Sequence, residues 1–328
     1  MTMQPISIPF DETIHFTERD DQMHEVGPHK DWTETVWFSF NVPERSLAGW
    51  FYTQVRPNIG TAAGGAFLYG PGDWMPWELP YWAYFDHQAV PSPLDLRDVS
   101  FMNGFSLKML EPGMKYHLGY KFRDLDEFVA DLHFEGLTPP VPHVRGAPPF
   151  TGSSHYDQHG RVTGDLWLKG ERIPVDCFAV RDRSWGRRPE LFGPATKRLS
   201  YVFGATSADE AFLVFTLPAG GDQESEEEHL SSGYLLRDGA LRRLASATRH
   251  NTRDASTGGI SAIEVDITDT DGRTAHITGE ARARMMLPRA SLCINTFLRF
   301  DVDGREGFGE DQDVWPTSRF RDRRRATH

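Results

Sequence analysis

The chain has 328 residues and a net charge of −12, from 35 basic and 47 acidic side chains. This length suits two domains or one large β-rich unit and excludes a small stapled scaffold. The acidic balance argues against a protein that binds nucleic acid through its phosphate backbone, and 39% hydrophobic with 12% aromatic residues exclude a disordered chain.

The two cysteines, Cys177 and Cys293, are too few for a disulfide framework or a cysteine-based zinc site. We expect two reduced, buried thiols, with a single bridge between them as the alternative. The first 20 residues carry acids instead of an apolar signal segment, and nowhere do about 18 apolar residues follow one another. The sequence therefore predicts a soluble, cytoplasmic protein without a transmembrane segment, and it leaves a monomer and a homodimer open.

Apolar residues recur with a period near two and are interrupted by Gly, Pro, Asn or Asp, which is typical of antiparallel β-sheets. In the first half this pattern predicts strands at 33–40, 48–55, 66–69, 81–86, 101–109, 115–122 and 127–136. In the second half it predicts strands at 162–168, 173–180, 199–205, 211–217, 229–236, 240–248, 260–268, 274–286, 291–301 and 307–310. Hairpins should turn on Gly170 and Gly304.

A proline-rich stretch at 137–152 cannot sustain a ladder or a helix, and it is the best candidate for a domain boundary. We therefore expect two consecutive lipocalin-like antiparallel β-barrel or sandwich domains, making the chain all-β. The expected divisions are 1–140 for the first domain, 141–147 for the linker, 148–313 for the second domain and 314–328 for a tail. The acidic run at 220–228 reads as an exposed loop, and the arginine-rich end as a frayed terminus.

The segment 180–188, VRDRSWGRR, follows an apolar strand and combines arginines, one acid, a tryptophan and a glycine. In one interpretation it is a charge-paired corner, where Asp182 accepts from Arg181, Arg183 or Arg187. In the other, Asp182 lies at the mouth of an apolar cavity, where burial raises its pKa and the arginines lower it. The balance of the two effects decides whether Asp182 is an acid or an orienting anion.

A second carboxyl, Glu34, lies in a predicted strand whose alternation places Trp32, Glu34, Val36 and Phe38 on one face. A charge on an apolar face is costly unless it is paired or used. The alternatives are an ion pair to an arginine across the domain interface and a bulge that turns the other face inward. Glu310 is a third candidate, with a solvated strand end as its alternative.

Histidines are candidates for proton transfer because imidazole titrates near neutral pH. His155, with Tyr156, could relay a proton or hold a polar group of a ligand, and a plain hydrogen-bonded strand histidine is the alternative. His24 lies among acids, which favours a surface residue over a metal ligand. His117 and His133 are far apart in sequence and lack H-x-H or HExxH spacing, so no metal site is predicted.

The segment 70–85 carries three tryptophans, two tyrosines and a phenylalanine between prolines, so part of it is a loop with a large apolar surface. Trp74 and Trp77 either cap a core or line a pocket for an apolar ligand. No nucleophile elbow occurs, and the glycines at 60–65 lack the context of a phosphate loop. No cofactor is therefore predicted.

Five short segments together resemble one known superfamily: 20–24, 32–35, 155–164, 181–186 (RDRSWG) and 307–315. They look like the AttH and carotenoid 1,2-hydratase (hydroxyneurosporene synthase) superfamily, in its uncharacterised bacterial branch. The resemblance implies two lipocalin-like β-barrels packed together. It also implies cofactor-free chemistry, either hydration of terpenoid double bonds or, as in fungal relatives, pericyclic cyclisation. No substrate-defining motif of the carotenoid enzymes is present.

We therefore expect a cofactor-independent enzyme that hydrates, dehydrates or isomerises an apolar molecule of terpenoid, steroid or polyketide type by acid assistance. Such chemistry needs a Brønsted acid, an aromatic wall that tolerates a cation, and one admitted water. The candidate catalytic residues are Asp182, Glu34, His155 and Tyr156, and the candidate ligand-binding residues are Trp185, Trp32, Trp74, Trp77 and Arg181. The alternatives are a non-catalytic carrier of a hydrophobic metabolite, in which every buried carboxyl is paired to arginine, and a structural protein without a ligand cavity.

Overall fold

A computed structural model describes residues 6–7, 15–16, 18–123, 125–142, 153–188, 197–288 and 291–326. Most of these residues lie in antiparallel strands, which confirms the predicted all-β class. The chain divides into two compact units. Unit 1 comprises Met1–Glu44, Ala48–Leu68 and Pro80–Arg188, and unit 2 comprises Arg45–Leu47, Tyr69–Leu79 and Pro189–His328.

The first sheet contains most of the strands before residue 188. In chain order the strands are β1 (Ile6–Ser7), β2 (His15–Phe16), β3 (Trp32–Val42), β4 (Leu47–Arg56), β5 (Thr61–Tyr69), β6 (Tyr81–Ala89), β7 (Asp98–Ser100), β8 (Phe105–Glu111), β9 (Lys115–Lys121), β10 (Phe128–Gly136), β11 (Val141–Pro142), β12 (Ser153–Leu168) and β13 (Glu171–Arg187). Short 3₁₀ helices occupy Glu18–Asp21, Pro43–Arg45 and Pro57–Ile59.

Among the described residues, β1 and β2 form a separate two-stranded sheet, and the other strands form one eleven-stranded sheet. Its order is β6-β5-β4-β3-β13-β12-β10-β9-β8-β7, with β11 paired to β12. One face of the sheet carries a core of aromatic rings. Phe38, for example, lies 5.6 Å from Tyr116 and 5.5 Å from Phe134 between ring centroids. We call this side the core face.

Strand β3 is buried on both faces, because every residue from Thr33 to Val42 is shielded from solvent. Thr and Ser alternate with apolar residues in β3, but these polar side chains do not point to water as they would in a strand with one exposed face. The polar residues of β3 instead find partners in the neighbouring strand: Ser39 donates to the carbonyl of Val180 at 2.9 Å. Burial on both sides makes β3 a strand on which polar side chains are enclosed.

The division between the units differs from the boundary that the sequence predicted. After the proline-rich stretch the chain returns to the first sheet, because β13 pairs with β3 from Arg181↔Phe38 to Arg187↔Trp32. The units therefore divide at Arg188 and Pro189. Prolines mark where a ladder breaks but carry no information on which strands pair later. Of the predicted linker, 141–142 form β11, and 143–147 lie outside the described residues.

Unit 2 is built on a closed eight-stranded barrel. Its strands are β14 (Leu199–Ser207), β15 (Glu210–Pro218), β16 (Glu227–Arg237), β17 (Ala240–Arg253), β18 (Ile260–Asp269), β19 (Thr274–Pro288), β20 (Ser291–Val302) and β21 (Arg305–Pro316). A 3₁₀ helix spans Ala219–Gly221, and helix α1 spans Thr317–Ala326. The hairpins at Gly170 and Gly304 form as predicted, with φ of 87° and 85°.

The sequence predicted that the arginine-rich terminus is frayed, and this prediction is wrong for helix α1, because its Phe320 is buried against Trp315. Leu292 and Ile294 complete this apolar cluster. One aromatic side chain thus anchors a helix whose other residues are mostly charged. No helix in the described ranges combines the length and apolarity needed to cross a membrane.

The barrel encloses a layer of buried charges. Arg249 donates to Asp311 at 2.6 Å, and Arg198 donates to Asp313 at 3.1 Å. Glu228 is fully buried beside Arg198 and Arg249, so the acidic run predicted as an exposed loop ends inside the barrel. Burial raises the pKa of Asp311 to about 6, although Arg249 acts in the opposite direction.

Arg249→Met should lower the free energy of unfolding by about 3–5 kcal/mol, because the neighbouring acids lose their counter-charge inside the barrel. The matched control is Arg161→Met, which removes an exposed ion pair of 2.6 Å to Asp176 and should cost less than about 1 kcal/mol. Guanidinium unfolding of both variants measures the difference. Equal losses would show that the barrel layer contributes no more than a surface pair.

Candidate functional site

Three neighbouring strands bring the predicted acid into a row of buried side chains. Asp182 of β13 lies directly opposite Asp157 of β12 on one side and Trp37 of β3 on the other. Directly paired residues in a sheet point to the same face, so these three side chains share one. It is the face away from the aromatic core, and we call it the far face.

On the far face, Asp182, His155 and Asp157 form what we call the Asp182 cluster. The Nε2 atom of His155 lies 3.0 Å from Oδ2 of Asp157, and both residues are buried. One nitrogen or oxygen atom from each of the three side chains lies within 4.8 Å of the other two. An imidazole and two carboxyls therefore meet at one place, where His155 and Asp157 are buried and Asp182 is half-buried.

Within the described part of the chain, Oδ1 of Asp182 is buried and has no hydrogen-bond partner. Burial raises the pKa of Asp182 to about 6, and the negative charge of Asp157 adds to this effect. His155, Arg188 and Arg183 act in the opposite direction. With this pKa, about a tenth of the carboxyl is protonated at pH 7. The group is a candidate general acid.

The spacing of the Asp182 cluster also matches that of cation ligands, since histidine and carboxylates commonly bind divalent metals. Two guanidinium groups, Arg183 and Arg188, lie close enough to lower the pKa of Asp182. Their positive charge opposes a cation at the same place. Proton transfer is therefore the better-supported use of these side chains.

The charge-paired corner considered for Asp182 does not form, because each of the three arginines pairs with a different acid. Arg181 binds Asp21 at 3.0 Å, and Arg183 binds Glu34 at 3.0 Å. Arg187 binds Asp31 at 3.1 Å. Alternation explains this result: odd-numbered residues of this stretch of β13 point to the core face, and Asp182 points to the far face.

Glu34 lies on the core face, as the alternation predicted, and therefore on the opposite side of the sheet from Asp182. It accepts hydrogen bonds from the backbone N–H of His24 at 2.9 Å and from Arg183 at 3.0 Å. Burial tends to raise the pKa of Glu34, but His24 and Arg183 outweigh it and lower the pKa. Its arginine partner comes from the same sheet, so the expected pairing across a domain interface is corrected. An ionised Glu34 suits a role as an orienting anion.

His24 belongs to this group of charges, although the sequence favoured a surface position for it. Its ring stacks on Trp185, with centroids 3.9 Å apart and planes at 10°. Burial tends to lower the pKa of His24, but Asp20 and Glu34 raise it overall. The predicted ligand-binding residue Trp185 therefore stacks on the imidazole of His24 in this structure.

Tyr156 does not join His155, because consecutive residues of a strand point to opposite faces. The Tyr156 hydroxyl donates to Asp21 at 2.6 Å on the core face. Arg181 and Tyr116 bind the same carboxylate at 3.0 and 2.6 Å. The predicted residues Tyr156 and Arg181 are thus tied into a buried structural network, and the predicted pairing of Tyr156 with His155 is corrected.

The predicted aromatic residues are divided between the two units. Trp32 and Trp185 belong to unit 1, whereas Trp74 and Trp77 belong to unit 2. Trp74 packs against the apolar cluster around Trp315. Trp77 is 77% exposed, so it lines no enclosed pocket among the described residues.

Glu310 is not a solvated strand end. It lies within β21 and is buried, and the hydroxyl of Tyr69 donates to its Oε2 at 2.5 Å. Both residues belong to unit 2.

Sequence reasoning missed Asp157 and Trp37, which flank Asp182. A signal was present in the HYDQH run at 155–159, where His155 and Asp157 are two residues apart and so share a strand face. Their closeness to Asp182 depends on the pairing of β12 with β13, which the sequence did not specify.

Comparison with solved structures places the chain in a known fold class. It is similar to an AttH-type protein from Nitrosomonas europaea, at 16% identity and a TM-score of 0.60, over 95% of this chain and 98% of the other. It is similar to kievitone hydratase from Nectria haematococca, at 10% identity and a TM-score of 0.52, over 88% of this chain and 90% of the other.

A third similar structure is CghA with Sch210972, at 13% identity and a TM-score of 0.55, over 87% of this chain and 89% of the other. These likenesses show that the chain shares the fold of an AttH-type protein, as the resemblance noted in the sequence implied. The chain belongs to the family described as domain of unknown function DUF7064, whose profile matches residues 17–311. None of the curated protein sequences matches the chain significantly.

Asp182→Asn should stabilise the protein at alkaline pH. The folded-state pKa of Asp182, about 6, lies above its ordinary value of 3.8. Stability from the protonated carboxyl is therefore present below about pH 4 and lost as the pH rises through 6. The advantage of the variant in free energy of unfolding should grow by about 1–3 kcal/mol from pH 4 to pH 8. Urea unfolding at both values checks this, and a pH-independent difference would contradict the raised pKa.

Proposed function

We propose that the protein is an enzyme that acts on an apolar small molecule by acid-assisted hydration, dehydration or isomerisation, with Asp182 as the proton donor. One observation carries the proposal: among the described residues, the carboxyl of Asp182 has a raised pKa and a buried Oδ1, makes no ion pair, and lies beside a histidine–aspartate pair. Asp182 in its protonated form transfers the proton to a carbon of the substrate, and the reaction requires no redox group.

His155 and Asp157 have distinct parts in this proposal. The contact of 3.0 Å between His155 and Asp157 fixes the orientation of the imidazole. In hydration, the imidazole held in this way takes the proton from the water that adds to the substrate cation and passes it back to Asp182. Burial, together with the negative charge of Asp157, keeps the pKa of Asp182 high. The histidine and the second carboxyl thus help Asp182 to regain its proton.

Aromatic side chains on the far face suit a carbocation-like intermediate. Trp37 lies directly opposite Asp182, and its ring meets Trp50 edge to face, with centroids 5.1 Å apart. An aromatic face offers a cation about 0.5–2 kcal/mol. Such a wall favours an electron-rich alkene or a comparable apolar group over a charged substrate.

The pairing of the carboxyls favours an enzyme over the carrier alternative. A carrier needs every buried carboxyl neutralised by arginine, and Asp21 and Glu34 meet this condition. In the described part of the chain Asp182 makes no ion pair, and its position costs stability at neutral pH. A destabilising ionisable group of this kind is typical of a functional site. Similarity in fold to kievitone hydratase supports a hydratase, as an analogy.

The test uses deuterium, because protonation of carbon by an acid in D₂O leaves a C–D bond in the product. The purified full chain is incubated in D₂O with a lipid extract of its host, and products are analysed by mass spectrometry. We expect a deuterated product from the wild type and a loss of about 100-fold or more in its rate of formation with Asp182→Asn. Binding of the substrate should be nearly unchanged, as native mass spectrometry reports.

Glu34→Gln is the matched control, because it removes a buried carboxyl from the opposite face of the same sheet. This variant should keep more of the deuterium incorporation than Asp182→Asn. If Glu34→Gln lost deuterium incorporation while Asp182→Asn retained it, the assignment of Asp182 as the acid would be overturned. A ligand that binds to the wild type without any deuterium incorporation would favour a carrier.

A further inference from the structure

Two histidines and one aspartate form an exposed group on unit 1, away from the residues of the proposed function. His117 lies on β9, and Asp131 and His133 lie on β10. Their ligand atoms all lie within 4.8 Å of one another. We call this group the His–Asp–His cluster.

Strand register creates the cluster. His117 is paired directly with His133, and Asp131 lies two residues before His133 on the same strand. All three side chains therefore point to one face. The two imidazole centroids lie 5.0 Å apart. The Nε2 atom of His117 already lies 2.6 Å from Oδ1 of Asp131. The sequence hid this arrangement, because 16 positions separate two histidines that the antiparallel ladder places side by side.

The donor set is that of a zinc-type transition metal. Imidazole suits Zn²⁺, Ni²⁺ and Cu²⁺, whereas Ca²⁺ and Mg²⁺ prefer oxygen ligands alone. With bonds of about 2.0–2.1 Å, a tetrahedral Zn²⁺ needs ligand atoms about 3.3 Å apart. The observed spacing reaches this value with small rotations of exposed side chains. Three protein ligands leave a fourth position for water.

Neighbouring charges are mostly neutralised by their own partners. Asp165, opposite Asp131 on β12, binds Arg172 at 2.8 Å. Lys108 of β8 lies opposite His117 on one side and opposite Asp98 of β7 on the other. Its long side chain is exposed and free to turn away into water. The positive charges near the cluster therefore do not prevent a cation from binding there.

We propose that His117, Asp131 and His133 bind a divalent transition metal ion of the zinc type. The ion bridges β9 and β10 on a solvent-exposed part of the far face and clamps these two strands. It occupies a place separate from Asp182 and takes no part in the proposed proton transfer.

The test is isothermal titration of ZnCl₂ into the full chain, with any affinity tag removed. We expect one site with a dissociation constant on the order of 1 µM. His133→Ala and Asp131→Asn should each weaken binding by about tenfold or more, since each removes one of three ligands. Zn²⁺ should also raise the melting temperature of the wild type but not of His133→Ala.

His276→Ala is the matched control, because His276 belongs to another exposed group with Glu264 and Asp266. That group offers a single imidazole, so its removal should leave the Zn²⁺ affinity unchanged. His133→Gln, which keeps a polar side chain, separates loss of a ligand from loss of fold when melting is measured without metal. Zn²⁺ binding that survives in both His133 variants, or that disappears in His276→Ala, would overturn the proposal.

Discussion

The structure depends on the pairing of β13 with β12 on one side and β3 on the other. This pairing gives β13 two different faces: arginines bind acids on the core face, and Asp182 points to the far face. Because the side-chain period of a strand is two, a slip of one residue would exchange these positions. The proposed acid therefore exists only in this register, and the ion pairs of Arg181 and Arg183 help to hold that register.

Buried charge is a second constraint on the structure. The described part of the chain encloses many ionisable groups, and most are neutralised by a specific partner, as in the barrel layer around Arg249 and Asp311. Such pairs cost desolvation and give little net stability, but removing one partner is expensive. Asp182 differs, because its carboxyl lies near positive charges without an ion pair to any of them. Because of this difference, Asp182 is the carboxyl that we propose as the proton donor.

Local sequence patterns predicted the strands and turns well, because alternation and turn residues act within a few positions. The face of Glu34 followed from alternation alone. Alternation did not predict the division of the units or the neighbours of Asp182, because both depend on which distant strands pair. His117 and His133 show the same limit, since they meet only through the β9–β10 ladder. Local patterns thus place a side chain on a face, and long-range pairing decides what it meets there.

The proposed function requires that Asp182 is held as a weak acid at neutral pH. A titration of its side-chain carboxyl by ¹³C NMR, assigned with Asp182→Asn, measures this without knowledge of a substrate. We expect a midpoint near 6, well above the ordinary aspartate value of 3.8. A midpoint at or below 3.8 would mean that Asp182 is ionised like Glu34 and would contradict its assignment as the acid.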